Sequence, residues 1–148
     1  MTSHEDAEVR LARPADLDLL VDLHRAFCHA DRHPFDTARA LAAFAPLLHD
    51  DRWGVVWLAT PDLGYAVLTW GWSIEAGGLE AVLDEIFVRD RGQGLGSMLI
   101  EHLVADGRHR GLARIFLETE SHNDGARSFY GRHGFRVDDS IWMSLELQ

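Results

Sequence analysis

The sequence predicts a mixed α/β fold in which helices cover both faces of a mostly antiparallel sheet. Three observations predict it: β-rich segments separated by turn residues, two amphipathic helices near the start, and helices that alternate with strands later in the chain. Strands joined by short turns pair antiparallel, whereas strands joined through a helix can pair in parallel. A chain of 148 residues without linker or internal repeat is expected to form one domain over residues 1–148.

The first half of the chain contains one strand, two helices and then three strands. Residues 7–13 alternate and end at Pro14, which breaks the strand. A helix capped by Asp16 carries an apolar stripe, and a second helix is predicted to begin at the cap residue Thr37. The three strands that follow are predicted at residues 53–59, 65–73 and 79–88.

Helices and strands alternate in the second half. A glycine-rich turn leads into a helix that carries Leu95, Leu99 and Leu103 at helical spacing. A strand is predicted over residues 112–120, and a further helix begins at Asn123. The last predicted elements are one or two strands within residues 136–146.

Composition narrows the class of protein and its partners. The formal net charge is −10, from 24 acidic against 14 basic residues, which argues against a nucleic-acid partner and mildly favours a cationic substrate. No segment approaches the roughly 20 apolar residues that span a bilayer, so no membrane partner is expected. The single cysteine, Cys28, cannot form an internal disulfide, which favours a cytoplasmic location. His24 and Cys28 have metal-ligand spacing, but they continue an apolar stripe and are interpreted as core, with no metal.

Residues 91–96, Arg-Gly-Gln-Gly-Leu-Gly, follow an apolar strand and open a helix. Glycines leave backbone N–H groups unshielded at the positive end of a helix, where phosphates bind, and Arg91 adds a positive charge. The loop lacks the Lys of a Walker A motif and the glycine spacing of a Rossmann fingerprint. The alternative interpretation is a loop that only turns the strand into the helix.

A second segment, residues 123–135, has its own pattern. Asn123 is a helix cap, and Ala126, Phe129 and Tyr130 fall on one helix face. Gly134 ends the helix. Taken alone, the segment is also compatible with an ordinary amphipathic helix that packs an aromatic pair.

Together the two segments resemble the GNAT N-acetyltransferase superfamily, from about Leu79 to Phe135. The resemblance implies acetyl-CoA as co-substrate without a metal, and a sheet that splays in the middle between the strands on either side of the glycine-loop helix. One departure is that Arg89 and Asp90 alone separate Val88 from Arg91, where the family usually has five residues. The resemblance implies that acetyl-CoA contacts Ile86, Phe87, Val88, Arg91, Gly92, Gln93, Gly94, Leu95, Gly96, Ser97, Asn123 and Phe129.

Asp84 and Glu85 are the candidates for the general base that takes a proton from the attacking amine. Both interrupt an apolar strand, where an unpaired charge is costly. Strict alternation would place Asp84 with Val82, Ile86 and Val88, and Glu85 with Leu83 and Phe87. The resemblance favours Asp84, and the bulge that it implies in this strand would alter the assignment. The alternative is a carboxylate that is satisfied by arginine or by backbone N–H groups.

Tyr130 is the candidate acid by resemblance, since its hydroxyl would protonate the leaving thiolate; the alternative is a buried, hydrogen-bonded core tyrosine. The predicted function is transfer of an acetyl group from acetyl-CoA to a primary amine of a small molecule or peptide, by direct attack. The alternatives are a non-catalytic acyl-CoA-binding regulatory domain and a nucleotide-phosphate-binding protein. Homodimer formation is left open.

Overall fold

The computed structural model describes residues 4–148, which form two compact units that divide after Leu117. The helices and strands follow the predicted order as far as the last helix. The first unit contains β1 (Val9–Leu11), α1 (Leu17–Ala30), α2 (Thr37–His49), β2 (Gly54–Ala59), β3 (Gly64–Ser73), β4 (Gly78–Val88), α3 (Leu95–Arg110) and β5 (Ile115–Phe116). The second unit contains α4 (Asp124–Arg132).

The sheet of the first unit is mixed, as the sequence predicts. Its strand order is β1-β2-β3-β4-β5, with antiparallel pairs from β1 to β4 and a parallel pair between β4 and β5. Helix α3 connects β4 to β5, which accounts for their parallel pairing. The two strands pair only at Ala81 and Val82 of β4, so this edge of β4 lacks a described neighbouring strand from residue 83 onward. This arrangement agrees with the splayed sheet that the resemblance implies.

A β-bulge in β4 changes which residues share a face. Val67 of β3 lies opposite Glu85, whereas the next residue, Leu68, lies opposite Leu83. Asp84 is therefore the extra residue, and the alternation reverses across it. The assignment of Glu85 to the face of Leu83 is wrong, because the bulge places Glu85 on the face of Val67.

The same reversal overturns the face predicted for Asp84. Val82 lies opposite Thr69, whereas Ile86 lies opposite Ala66, so Val82 and Ile86 are on opposite faces of the sheet. Asp84 cannot share one face with both, as strict alternation would require.

Helices cover both faces of this sheet. On one face, α1 and α2 bury a core whose members include Leu20, Leu23, Phe44 and Val67. On the other face lies α3, whose His102 ring is 5.8 Å from the ring of Trp57 on β2. The apolar residues at helical spacing in α3 are buried, in agreement with the periodicity. No helix within residues 4–148 has the length and apolar content required to span a membrane.

Several element boundaries differ from the prediction, and β1 covers only Val9–Leu11 of the predicted 7–13. Asp36 rather than Thr37 caps α2, because its carboxylate accepts a hydrogen bond from the Arg39 amide at 2.9 Å. Strand β5 covers only two residues of the predicted 112–120, since only two residues of β4 pair with it. Residues 136–146 form no strand in the described second unit, although their sequence alternates. A strand needs a neighbour for its backbone hydrogen bonds, and this segment has no paired strand there.

Asp16 joins β1 to the start of α1. Its carboxylate accepts two hydrogen bonds from the Arg10 guanidinium, at 2.8 and 2.9 Å, and one from the Arg13 amide at 2.7 Å. The pKa of Asp16 is lowered from an ordinary value of 3.8 to about 2, and the hydrogen bond from the Arg10 side chain is the main cause. A carboxyl with a lowered pKa stabilises the fold above its ordinary pKa, and this contribution disappears as the pH falls through the lowered value.

We expect Asp16→Asn to lower the free energy of unfolding by about 1–2 kcal/mol at neutral pH, because the charged pair with Arg10 is lost. The difference from the parent protein should shrink between about pH 4 and pH 2. Urea unfolding at several pH values measures it, and Asp18→Asn, at an exposed position of α1, is the control. A difference of undiminished size at pH 2 would contradict the role of this carboxylate.

Candidate active site

A cavity of about 510 Å³ opens in the first unit between the α1–α2 segment and strands β3 and β4. Its wall combines aromatic, apolar and acidic side chains. The residues used below are His24, Phe35, Phe44, Val67, Asp84 and Glu85. The cavity therefore contains both carboxylates that the sequence analysis singles out.

Glu85 is held by two side chains from other elements. One oxygen, Oε2, accepts a hydrogen bond from the Tyr65 hydroxyl at 2.8 Å and lies 3.1 Å from Nδ1 of His24. The Glu85 side chain is 21% exposed. Both contacts use Oε2, so among the described residues Oε1 is left available to a water or a bound molecule in the cavity.

Tyr65 is a permanent donor to Glu85. Its side chain is completely buried, and burial together with the negative charge of Glu85 raises the pKa of Tyr65 well above its ordinary value. The hydroxyl therefore keeps its proton across the physiological pH range. It fixes the orientation of the carboxylate from the sheet side.

His24 contacts Glu85 from helix α1. Its Nε2 lies 3.4 Å from Sγ of the buried Cys28, and burial raises the pKa of that thiol, which keeps its proton. Because an ionised carboxylate only accepts hydrogen bonds, Nδ1 of His24 is the donor in its contact with Glu85. One helix side chain and one strand side chain thus hold the same carboxylate oxygen.

Asp84 lines the same cavity but is exposed, as the bulge residue of β4. It has neither of the two donors that hold Glu85. The structure thus brings both predicted carboxylates to one cavity and distinguishes them by burial and partners.

His24 and Tyr65 are not among the predicted site residues. The sequence interpretation of His24 and Cys28 as core agrees with the burial of Cys28, but it misses the contact of His24 with Glu85. The available signal was that a polar residue interrupts the apolar stripe of α1. Residues 4–148 contain no group of three His, Cys, Asp or Glu side chains placed to hold a metal ion.

The glycine loop has the geometry that its sequence requires. Gly92 and Gly94 have φ angles of +80° and +78°, in the left-handed region that favours glycine. Gly94 is the N-cap of α3, whose first turn contains no acidic side chain. The first amides of a helix lack intrahelical partners, so this end of α3 presents donors and a positive dipole.

The short connection between β4 and the loop is anchored by Arg89. Its amide donates to the Leu63 carbonyl and its Nε donates to the Asp62 carbonyl, each at 2.8 Å. These contacts hold the end of β4 against the β2–β3 turn. Residues 86–88 are half-buried at the end of β4, and residues 89–94 are exposed.

The second unit contains the remaining predicted residues. Asn123 caps α4, since its Oδ1 accepts a hydrogen bond from the Ala126 amide at 3.0 Å. The rings of Phe129 and Tyr130 are 5.2 Å apart, and the Tyr130 ring is 5.7 Å from that of Phe135. Within its unit, Tyr130 thus belongs to an aromatic group at the end of α4.

The fold thus combines a mixed sheet with a bulged β4, a glycine loop that opens α3, and a cavity beside β4. The sequence profile of the Acetyltransferase (GNAT) family matches residues 19–135. The chain belongs to this family. It is accordingly an acyl-CoA-dependent N-acetyltransferase by class.

Two solved structures resemble the chain over nearly its whole length. The integron cassette protein HFX_CASS3, from the mobile metagenome of Cole Harbour Salt Marsh, is 31% identical with a TM-score of 0.85, and the match covers 95% of this chain and 90% of that one. A proposed acetyltransferase from Arthrobacter sp. FB24 is 29% identical with a TM-score of 0.84, over 95% and 96% of the two chains.

A curated relative matches over a shorter segment. The 5-NmdU N-acetyltransferase of Pseudomonas phage PaMx11 is 49% identical over 47 residues. This segment is 32% of the chain and 31% of the phage enzyme.

Proposed function

We propose that the protein transfers an acetyl group from acetyl-CoA to a primary amine bound in the cavity beside β4. The observation that carries this proposal is the Glu85 carboxylate, which two donors orient and which has one oxygen left for the substrate. Family membership supports acyl-CoA as the donor substrate.

Glu85 is the proposed general base. An alkylamine with a pKa of about 10 arrives protonated at neutral pH and cannot attack until it loses a proton. Glu85 accepts that proton directly or through a water molecule, while Tyr65 and His24 keep the carboxylate in place. The nitrogen then attacks the thioester carbonyl carbon, the carbon–sulfur bond breaks, and coenzyme A leaves as the thiolate. The nitrogen loses its second proton to water as the amide forms.

Asp84 has a different proposed role. It is exposed on the same cavity, where its negative charge attracts the ammonium form of the amine. It is the second candidate for the base. Its lack of the two donors that hold Glu85 is the reason for preferring Glu85.

The glycine loop is the proposed pyrophosphate site. The left-handed Gly92 and Gly94, the open first turn of α3 and the exposed Arg91 together suit a doubly charged anion. Gln93, Leu95, Gly96 and Ser97 would contribute their backbone or side-chain groups. The unpaired edge of β4 at Ile86, Phe87 and Val88 would take the pantetheine arm, and Asn123 and Phe129 stay predicted contacts of that arm.

Tyr130 is the proposed acid that returns a proton to the thiolate of coenzyme A. Support comes from its place in a segment that resembles the family and from its half-buried ring. An ammonium substrate loses two nitrogen protons, one to Glu85 and one to water, and the thiolate gains one from Tyr130, so the net reaction releases one proton. Exchange with water restores both groups.

We expect acetyl-CoA to raise the melting temperature and, with a suitable primary amine, to release free thiol. A ligand at 100 times its dissociation constant stabilises the folded state by about 2.7 kcal/mol. Thermal shift and thiol release are measured on the same preparation, with ATP as the control ligand. A shift without thiol release across a broad amine panel would favour the non-catalytic alternative. An equal shift with ATP would favour a general nucleotide-phosphate site.

A further inference from the structure

We infer that the preferred acceptor is a primary monoamine carried on an apolar, ring-sized body. This inference rests on the proposed function and specifies its substrate class. It starts from the apolar side chains that line the cavity, which have no role in the transfer mechanism.

The inner wall of the cavity is aromatic and aliphatic. The His24 ring lies 5.9 Å from the Phe35 ring and 5.8 Å from the Phe44 ring, and the two pairs are tilted and edge-on, respectively. Phe44 and Val67 are almost fully buried beneath the cavity, and Ala40, Ala43 and Leu47 extend the apolar wall along α2. Burying an apolar body against such a surface is favourable. The edges of its aromatic rings can pack against the face of a bound ring.

The negative charge of the cavity is concentrated at its β4 end. Glu85 and Asp84 lie together on β4, and the only other charged groups of the described lining are Asp36 and Arg39 at the start of α2. The Asp36 carboxylate is bonded to the Arg39 amide, and the positive guanidinium of Arg39 offsets its charge. Both uncompensated carboxylates thus lie at the β4 end of the cavity. A second ammonium at the far end of a polyamine would lie against the apolar wall of α2, away from these carboxylates, where its desolvation is costly.

The dimensions agree with this class. A volume of about 510 Å³ falls in the range of about 300–1,000 Å³ that is typical of small-molecule sites. The cavity is open on the α2 side, where Ala43 is exposed. A flat body can enter along the small side chains of Ala40 and Ala43.

The first test compares amines in the thiol-release assay with acetyl-CoA. We expect kcat/KM for 2-phenylethylamine to exceed that for ethylamine, spermidine or glucosamine by about 10–100-fold, because its ring buries apolar surface against the cavity wall. Equal or higher values for spermidine or glucosamine would overturn the inference while leaving the proposed function intact. Absence of thiol release with every amine would instead overturn the proposed function, and the inference with it.

The second test fills the groove. Ala43→Trp places a large ring over the cavity from an exposed position of α2, so we expect KM for 2-phenylethylamine to rise at least about 10-fold. The thermal shift caused by acetyl-CoA should not change. Ala45→Trp is the matched control, since Ala45 is exposed on the same helix and does not line the cavity. Equal KM values for the two variants would place the acceptor outside this cavity.

Discussion

Replacing Glu85 by Gln is expected to lower kcat for amine acetylation by about 10²–10⁴-fold, the usual contribution of a general base. Glutamine keeps the size of the side chain and its oxygen can still accept from Tyr65 and His24, so the cavity should keep its shape. What is lost is the ability to take a proton from the ammonium form of the substrate. Steady-state thiol release, with acetyl-CoA binding measured separately, checks the result.

The pH profile distinguishes loss of a base from structural damage. In the Glu85→Gln variant the residual rate should rise toward alkaline pH, because the free amine becomes abundant without a base. Asp84→Asn is the matched control: it removes the neighbouring carboxylate of the same cavity, and we expect a smaller effect, mostly on KM. If Asp84→Asn shows the larger fall in kcat and the alkaline shift, the base is Asp84.

Replacing Gly94 by Val is expected to abolish acetyl-CoA binding. Gly94 has φ at +78°, and a β-branched residue in this left-handed conformation strains the start of α3. No atom lies within 4 Å of an added Cβ, so packing does not oppose the substitution. The side chain would shield the amides that are proposed to hold the pyrophosphate. Thermal shift with millimolar acetyl-CoA measures the loss.

Gly111→Val supplies the matched control for Gly94→Val. Gly111 ends the same helix with φ at +77° and has equally open surroundings, so the backbone strain is comparable. The control variant should lose stability yet keep the acetyl-CoA shift. Normal binding by Gly94→Val, or equal loss in both variants, would place the phosphate site elsewhere.

Local sequence signals were sufficient for most of the elements. The apolar spacing of α3, the glycines that bound it and the Asn123 cap act within a few residues, so they appear in the sequence as they do in the structure. The C-terminal alternation over residues 136–146 has the same local form but no strand results in the described second unit. The difference is that a strand depends on a partner, whereas a helix satisfies its own backbone.

The residues of the candidate site also fall into two groups: those that a local sequence pattern indicates and those that only the tertiary fold brings together. The sequence by itself determined the fold class, the glycine loop and the two carboxylates, because each is a contiguous pattern on one element. Only the tertiary structure decided which face Glu85 occupies and what holds it. A single extra residue in β4 reverses the alternation, and the partners Tyr65 and His24 are 20 and 61 residues away in sequence. Contacts at that separation arise from strand register and from packing of α1 on the sheet, which no local periodicity encodes.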